Sequence, residues 1–161
     1  MKNSLRAVAL ILLLSLFLMS VGCKEDRSAL SLMNEFLDTF SYVGITFSKD
    51  IPEGEAGYVD ESFFVTLYGE SDASVSDYAV FMLTDIDSVG ECAIMFCYSE
   101  YDAIRVMDML FRRIDLMRSL GGSINTECAR DAVVIKRGKR VAMCALDDNG
   151  AAKDVLKKLL N

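Results

Sequence analysis

Read from its first residue, the chain alternates long apolar stretches with short polar breaks, and the spacing of the apolar positions assigns most of the elements. Leu32, Met33, Phe36, Leu37 and Phe40 recur at helical intervals after Ser28, with Glu35 and Asp38 between them. That spacing predicts a helix capped by Ser28 or Asp26. Residues 44 to 57 hold Gly44, Pro52, Gly54 and Gly57 and read as a loop, with one short strand at Val43 to Phe47. Asp60 is expected to cap a short helix carrying Phe63, Phe64, Leu67 and Tyr68, which Gly69 closes. Ser71 to Asp77 is a polar connection, and Tyr78 to Thr84 a strand.

After a turn at Asp85 to Gly90, the run Cys92 to Tyr98 is apolar at every position. A strand with one wet face would alternate, so this one is expected at the centre of a sheet covered on both sides. Glu100 to Leu120 is the clearest helix, with Tyr101, Ile104, Met107, Phe111, Ile114 and Met117 as its inward stripe and Asp108–Arg112 and Asp115–Arg118 as pairs on its wet side. Gly121-Gly122 ends it. Ala132 to Lys136 and Arg140 to Leu146 flank a glycine-bearing tip and form a hairpin. Asp148 or Asn149 opens a last helix that turns Ala152, Val155, Leu156 and Leu159 inward and keeps Lys153, Lys157 and Lys158 on its polar side. The expected fold is α+β: N-terminal helices, then a mainly antiparallel sheet of about four strands in ββαββα order, packed with helices over residues 28–161 as one domain.

The first 23 residues follow a different rule. Lys2 and Arg6 precede an apolar run from Ala7 to Met19, and small residues lead to Gly22-Cys23. A positive start, an apolar middle and small residues before a cut make a secretory signal. The run is shorter than the roughly 20 apolar residues that a spanning helix needs, and Lys24-Glu25-Asp26-Arg27 follows at once. Cysteine directly behind the small residue gives the signal a lipoprotein form. Residues 1–22 are then the signal, Gly22 the cleavage position, Cys23 the lipid attachment site and residues 23–27 a lipidated tether. Ser20 and Gly22 also satisfy ordinary signal peptidase, which would cut at the same place.

Composition narrows the chemistry. Removing Lys2 and Arg6 with the signal leaves 15 bases against 24 acids, a formal charge of −9. A nucleic acid is not an expected partner, since phosphate binding needs a basic face. The chain has no histidine, which removes Ser-His-Asp and Cys-His arrangements, His-bearing zinc sites and imidazole acid–base work. Cys92, Cys97, Cys128 and Cys144 show no Cys-x-x-Cys spacing, and the compartment permits disulfides. Three of them lie in apolar strands, where buried free thiols are the expected state. Neither a phosphate-cradling glycine loop nor a Gly-x-Ser-x-Gly elbow is present, so no cofactor, metal or catalytic residue is assigned.

Three candidates carry some chemistry. Asp72 and Asp77 with their neighbouring serines suit either a hard cation or ordinary turn and cap bonding, without EF-hand spacing. The tip Lys136-Arg137-Gly138-Lys139-Arg140 is the densest basic cluster behind the signal, either a solvated turn or a contact for lipid phosphate or an anionic wall polymer. Glu53, Glu55, Asp85, Asp87 and Glu91 offer acids in expected loops, where a glycan hydrolase would need two of them flanking one bond.

From about Phe63 to Leu160 the chain resembles a family of uncharacterised domains in short lipoproteins of anaerobic Gram-positive bacteria. The resemblance rests on Leu67-Tyr68-Gly69, Asp77-Tyr78-Ala79-Val80, Glu91-Cys92-Ala93-Ile94, Tyr101-Asp102-Ala103-Ile104 and Ala132-Val133-Val134 with Gly138 at the turn. These are packing and turn residues, so the resemblance implies a fold and a location and supplies no catalytic residue. The expected function is a lipid-anchored, extracytoplasmic binding or scaffold module at the cell membrane, with another envelope protein or wall polymer as its partner. A carboxylate-dependent envelope hydrolase is the alternative. A solute receptor would need two lobes and a longer chain.

Overall fold

A computed structural model describes residues 27–85, 87–120 and 124–161. The signal, Gly22, Cys23 and most of the tether lie outside the described residues, as does the Gly121-Gly122 helix end. The elements run α1 (Ala29–Thr39), β1 (Gly44–Ser48), α2 (Glu61–Tyr68), a 3-10 turn (Asp72–Ser74), β2 (Val75–Leu83), β3 (Glu91–Cys97), α3 (Glu100–Ser119), α4 (Glu127–Arg130), β4 (Val133–Arg137), β5 (Arg140–Ala145) and α5 (Asn149–Leu159). The fold is α+β. Among the described residues no helix is long and apolar enough to cross a membrane.

The sheet has five strands in the order β1-β2-β3-β5-β4, and every neighbouring pair is antiparallel. About four strands were expected, with a further short one at Val43 to Phe47. That short strand is β1, which joins the sheet at its edge, paired with β2 from Gly44↔Leu83 to Ser48↔Ala79, with Phe47 stacked on Phe63 at 5.0 Å. β2 also begins earlier than its apolar pattern implied. Val75 to Asp77 joins the ladder through a bulge against β3, so Asp77 is a strand residue and not part of a connection.

β3 occupies the centre, as its unbroken apolar run requires. Its alternate side chains feed two cores. Cys92 and Ile94 face α1 and α5 together with Leu32, Met33, Phe36, Ala142, Cys144 and Leu156. Ala93, Met95 and Cys97 face α2 and α3 together with Phe64, Tyr78, Val80, Leu110, Ile114 and Met143. Helices therefore cover both faces, with the sheet between them.

Local chemistry sets the element ends. The Ser28 hydroxyl accepts from the Ser31 N–H to cap α1, and Asp60 accepts from Ser62 and Phe63 to cap α2. Gly69 closes α2 at φ 73, a left-handed value that glycine adopts without steric cost. Asp148 caps α5 through the Ala151 N–H at 3.0 Å. Asn149 does other work: it accepts from the Leu146 N–H and donates to the Cys128 carbonyl, tying α4 to the end of β5.

The expected inward stripe of α3 is corrected over its first three turns. The buried line is Ala103, Val106, Met109, Leu110, Ile114 and Met117, while Tyr101, Ile104 and Phe111 are exposed. α3 is apolar over a wide arc, so two neighbouring lines both satisfy helical spacing. The line with Ala103 meets the sheet. Arg113 then reaches Glu91 on β3. The expected Asp108–Arg112 pair is also replaced, since Arg112 bonds Glu70 beyond the end of α2.

Candidate functional site

The strands run between two chemically different ends. At one end lie the start of β2, the last residues of β3, the β4–β5 hairpin tip, the first turn of α1 and the last turn of α5. Gly138 (φ 55) and Lys139 make a two-residue turn between paired Arg137 and Arg140, with glycine in the first central position as a type II′ turn requires. A cleft of about 570 Å³ opens beside this tip, lined by Arg27, Ser28, Ser76, Asp77, Phe96, Cys97, Lys139 and Arg140. The Arg140 guanidinium stacks over the Phe96 ring at 4.9 Å and bonds the Leu160 carbonyl at the end of α5. The Asp77 carboxylate accepts from the Ala29 N–H at 2.6 Å, where the N-terminal charge of a helix dipole favours an anion. The residue that follows the tether is thus held next to the basic hairpin.

Among the described residues, Arg137 and Lys139 are exposed and their side chains have no ion-pair partner, whereas Lys136 meets Glu100 at 3.9 Å. Lys157 and Lys158 lie in the last turn of α5, on the same end.

The opposite end carries three acidic loops. The β2–β3 loop brings Asp85 and Asp87, the α4 region Glu127 and Asp131, and the β5–α5 loop Asp147 and Asp148, the last two groups lining one cleft. Arg130 lies near both Glu127 and Asp131. Asp85 accepts from the Asp87 N–H in a turn.

The candidate acids sit in different settings. Glu91 was expected in a loop; it opens β3, is 1% exposed, and is paired on both oxygens. Arg113 Nε and Nη2 donate to Oε2 at 2.9 and 2.7 Å, and the Tyr68 hydroxyl donates to Oε1 at 3.0 Å. Burial, with the adjacent Glu91 carboxylate, holds the Tyr68 phenol well above its ordinary value. This cluster joins α2, β3 and α3 under the second core. Its sequence signal was weak: one glutamate at the start of an apolar strand, and one arginine on the shoulder of an apolar helix. Glu53 and Glu55 are exposed in the β1–α2 loop. Asp72 pairs with Lys49. Among the described residues no group of three acids or cysteines has metal-binding geometry.

Cys92, Cys97, Cys128 and Cys144 are free and buried. Cys92 and Cys144 oppose each other across β3 and β5, and burial first, then the neighbouring Cys144 thiol, raises Cys92 well above the usual thiol range. Burial pushes Cys97 up to about 11, with Asp102 adding to the effect and Lys136 opposing it. Since the thiolate is the reactive form, iodoacetamide at about pH 8 is expected to leave these four thiols largely unmodified in the folded protein and to modify them on unfolding; peptide mass mapping reads this. The folded Cys97 holds its proton more tightly than an unfolded thiol, whose ordinary value is 9.0. Its contribution to stability is therefore full below pH 9 and is lost as pH rises through about 11. The fall in denaturation midpoint over that window should shrink in Cys97→Ala.

The last surface of note is the shoulder of α3. Tyr101 is 71% exposed, Ile104 48% and Phe111 46%, with Tyr98 (62%) just ahead of the helix. Comparison of the chain with protein-family models, curated proteins and solved structures finds no match in any of the three.

Proposed function

We propose that this chain is a lipid-anchored module at the extracytoplasmic face of a cell membrane, cut behind Gly22 and carrying lipid on Cys23, and that it acts by binding another envelope protein or wall polymer. The observation that carries the reading is the basic start, apolar run and Gly22-Cys23 end of the first 23 residues. The position of the first helix supports it: α1 begins at Ala29, so only a short tether separates the anchor from the folded elements. The resemblance of residues 63–160 to the short-lipoprotein domains points the same way, with the two ββα segments as the family-like core.

The binding reading draws on the exposed shoulder of α3. Aromatic and branched side chains left in water at Tyr101, Ile104 and Phe111 are the kind that anchor protein interfaces. Of the acids proposed for hydrolysis, Asp85 bonds within a turn and Glu91 has no free oxygen, while Glu53 and Glu55 are exposed in a loop. No cofactor and no nucleic acid belong to this reading.

Cys23→Ala is expected to release the protein from the membrane fraction or to stop its maturation, read by fractionation and by intact mass. A variant that fractionates like wild type with unaltered mass would overturn the anchor. Photocrosslinking from position 111 in cells is expected to capture a discrete envelope partner. Turnover of a glycan or ester substrate that is lost on changing one carboxylate, with folding intact, would replace the binding reading with the hydrolase one.

A further inference from the structure

We propose that the hairpin end of the sheet is the membrane-facing end of the domain, with Arg137, Lys139, Arg140 and Lys158 lying against anionic phospholipid head groups. The inference rests on the anchored reading above and adds an orientation and a lipid class to it. Two independent features meet at this end. One is the tether: Arg27 is four residues from Cys23, a span of at most about 14 Å when fully extended, and Arg27 lines the same cleft as Lys139 and Arg140. An anchor on Cys23 therefore brings this end of the sheet, and not the other, to the bilayer surface.

The other feature is charge. The acids nearest the tip are engaged locally, while the exposed Asp50, Glu53 and Glu55 leave this end of the sheet at its opposite edge, behind β1. Glu35 pairs with Arg27, Glu100 with Lys136 and Asp154 with Lys157, and Asp77 is bonded at the start of α1. Arg137 and Lys139 keep their charge exposed at the turn. The acidic loops sit at the far end of strands such as the nine-residue β2, about 30 Å away along the strand direction. That exceeds the screening length of about 8 Å at physiological salt. A chain of formal charge −9 without its signal can thus present a locally basic corner to an anionic surface, with the acids behind β1 about 15 Å away across the sheet and the acidic loops at its far end. Each base at such a surface strengthens partition roughly fivefold.

The test uses the full chain isolated from producing cells, whose intact mass reports independently whether Cys23 carries lipid. It is reconstituted on vesicles of phosphatidylcholine alone or mixed with phosphatidylglycerol, and amide hydrogen exchange is followed. Residues 137–140 are expected to be protected on the phosphatidylglycerol vesicles, with protection lost at high salt. An Arg137→Gln, Lys139→Gln double variant should weaken that contact about 25-fold by the same per-base factor, while β3 keeps its wild-type exchange as the folding control. A lipidated chain that floats on both vesicles with no protection at the tip would overturn this inference and leave the anchor standing. Equal, salt-insensitive protection on neutral vesicles would overturn it, as would protection by a polyglycerol-phosphate wall polymer but not by phosphatidylglycerol. An unlipidated mass removes the anchor. Tip protection on phosphatidylglycerol would then still support the face, and its loss there would sink both.

Discussion

Glu91→Ala is expected to destabilise the protein by about 3–5 kcal/mol, the range for removing one partner of a buried ion pair. The side chain is 1% exposed, and its loss strands the Arg113 guanidinium, whose side chain is 17% exposed, together with the Tyr68 hydroxyl. Neither group can recover a full set of water contacts where it stands. Most of the loss is the desolvation of groups left unpaired, and little is the worth of the bond itself. The control follows from the same physics: a Glu91→Met, Arg113→Met double variant removes both charges and should recover much of the single variant's loss. Denaturant unfolding of wild type, Glu91→Met, Arg113→Met and the double variant closes a mutant cycle. A single-variant loss below about 1 kcal/mol, the scale of ordinary surface changes, would show that the cluster opens to water in solution.

Ile94→Ala should cost about 2–5 kcal/mol, since truncation loses transfer free energy and leaves a cavity. Ile94 is fully buried in the central strand, where its side chain joins the core shared by α1 and α5. Neighbours in a sheet are pinned by their ladders, so collapse around the gap is limited. Ile114 on α3 is 1% exposed on the other core and belongs to the same class, although a helix can shift slightly to fill a void. A smaller loss at Ile94 than at Ile114 would argue that the face carrying α1 and α5 is the more adaptable one.

Much of the fold was legible in the residue pattern because local rules govern it. The all-apolar run at Cys92 to Tyr98 required burial on both sides, and β3 lies at the centre of the sheet. Ser28, Asp60 and Gly69 announced their helix ends, since a cap is a bond between a side chain and its own backbone neighbours. Arg137-Gly138-Lys139-Arg140 announced a hairpin for the same reason. The candidate site was less legible. The basic tip was visible as a cluster, but nothing in the order of residues shows that Arg27 lies beside Lys139, more than a hundred positions later.

What the sequence determined by itself, then, is whatever depends on periodicity and near neighbours: the four longer helices, the central strand, the turn chemistry, and the signal-like pattern that ends at Cys23. The tertiary structure decided the rest. It placed β1, the short strand expected at Val43 to Phe47, at an edge of the sheet beside β2. It chose between two equally periodic lines on α3, exposing Phe111 and burying Leu110. It turned Glu91 from a loop acid into a buried ion. It also gathered Arg27, Lys139 and Arg140 around one cleft at the hairpin end of the sheet. Each outcome depends on contacts between segments far apart in the chain, which hydrophobic spacing does not encode.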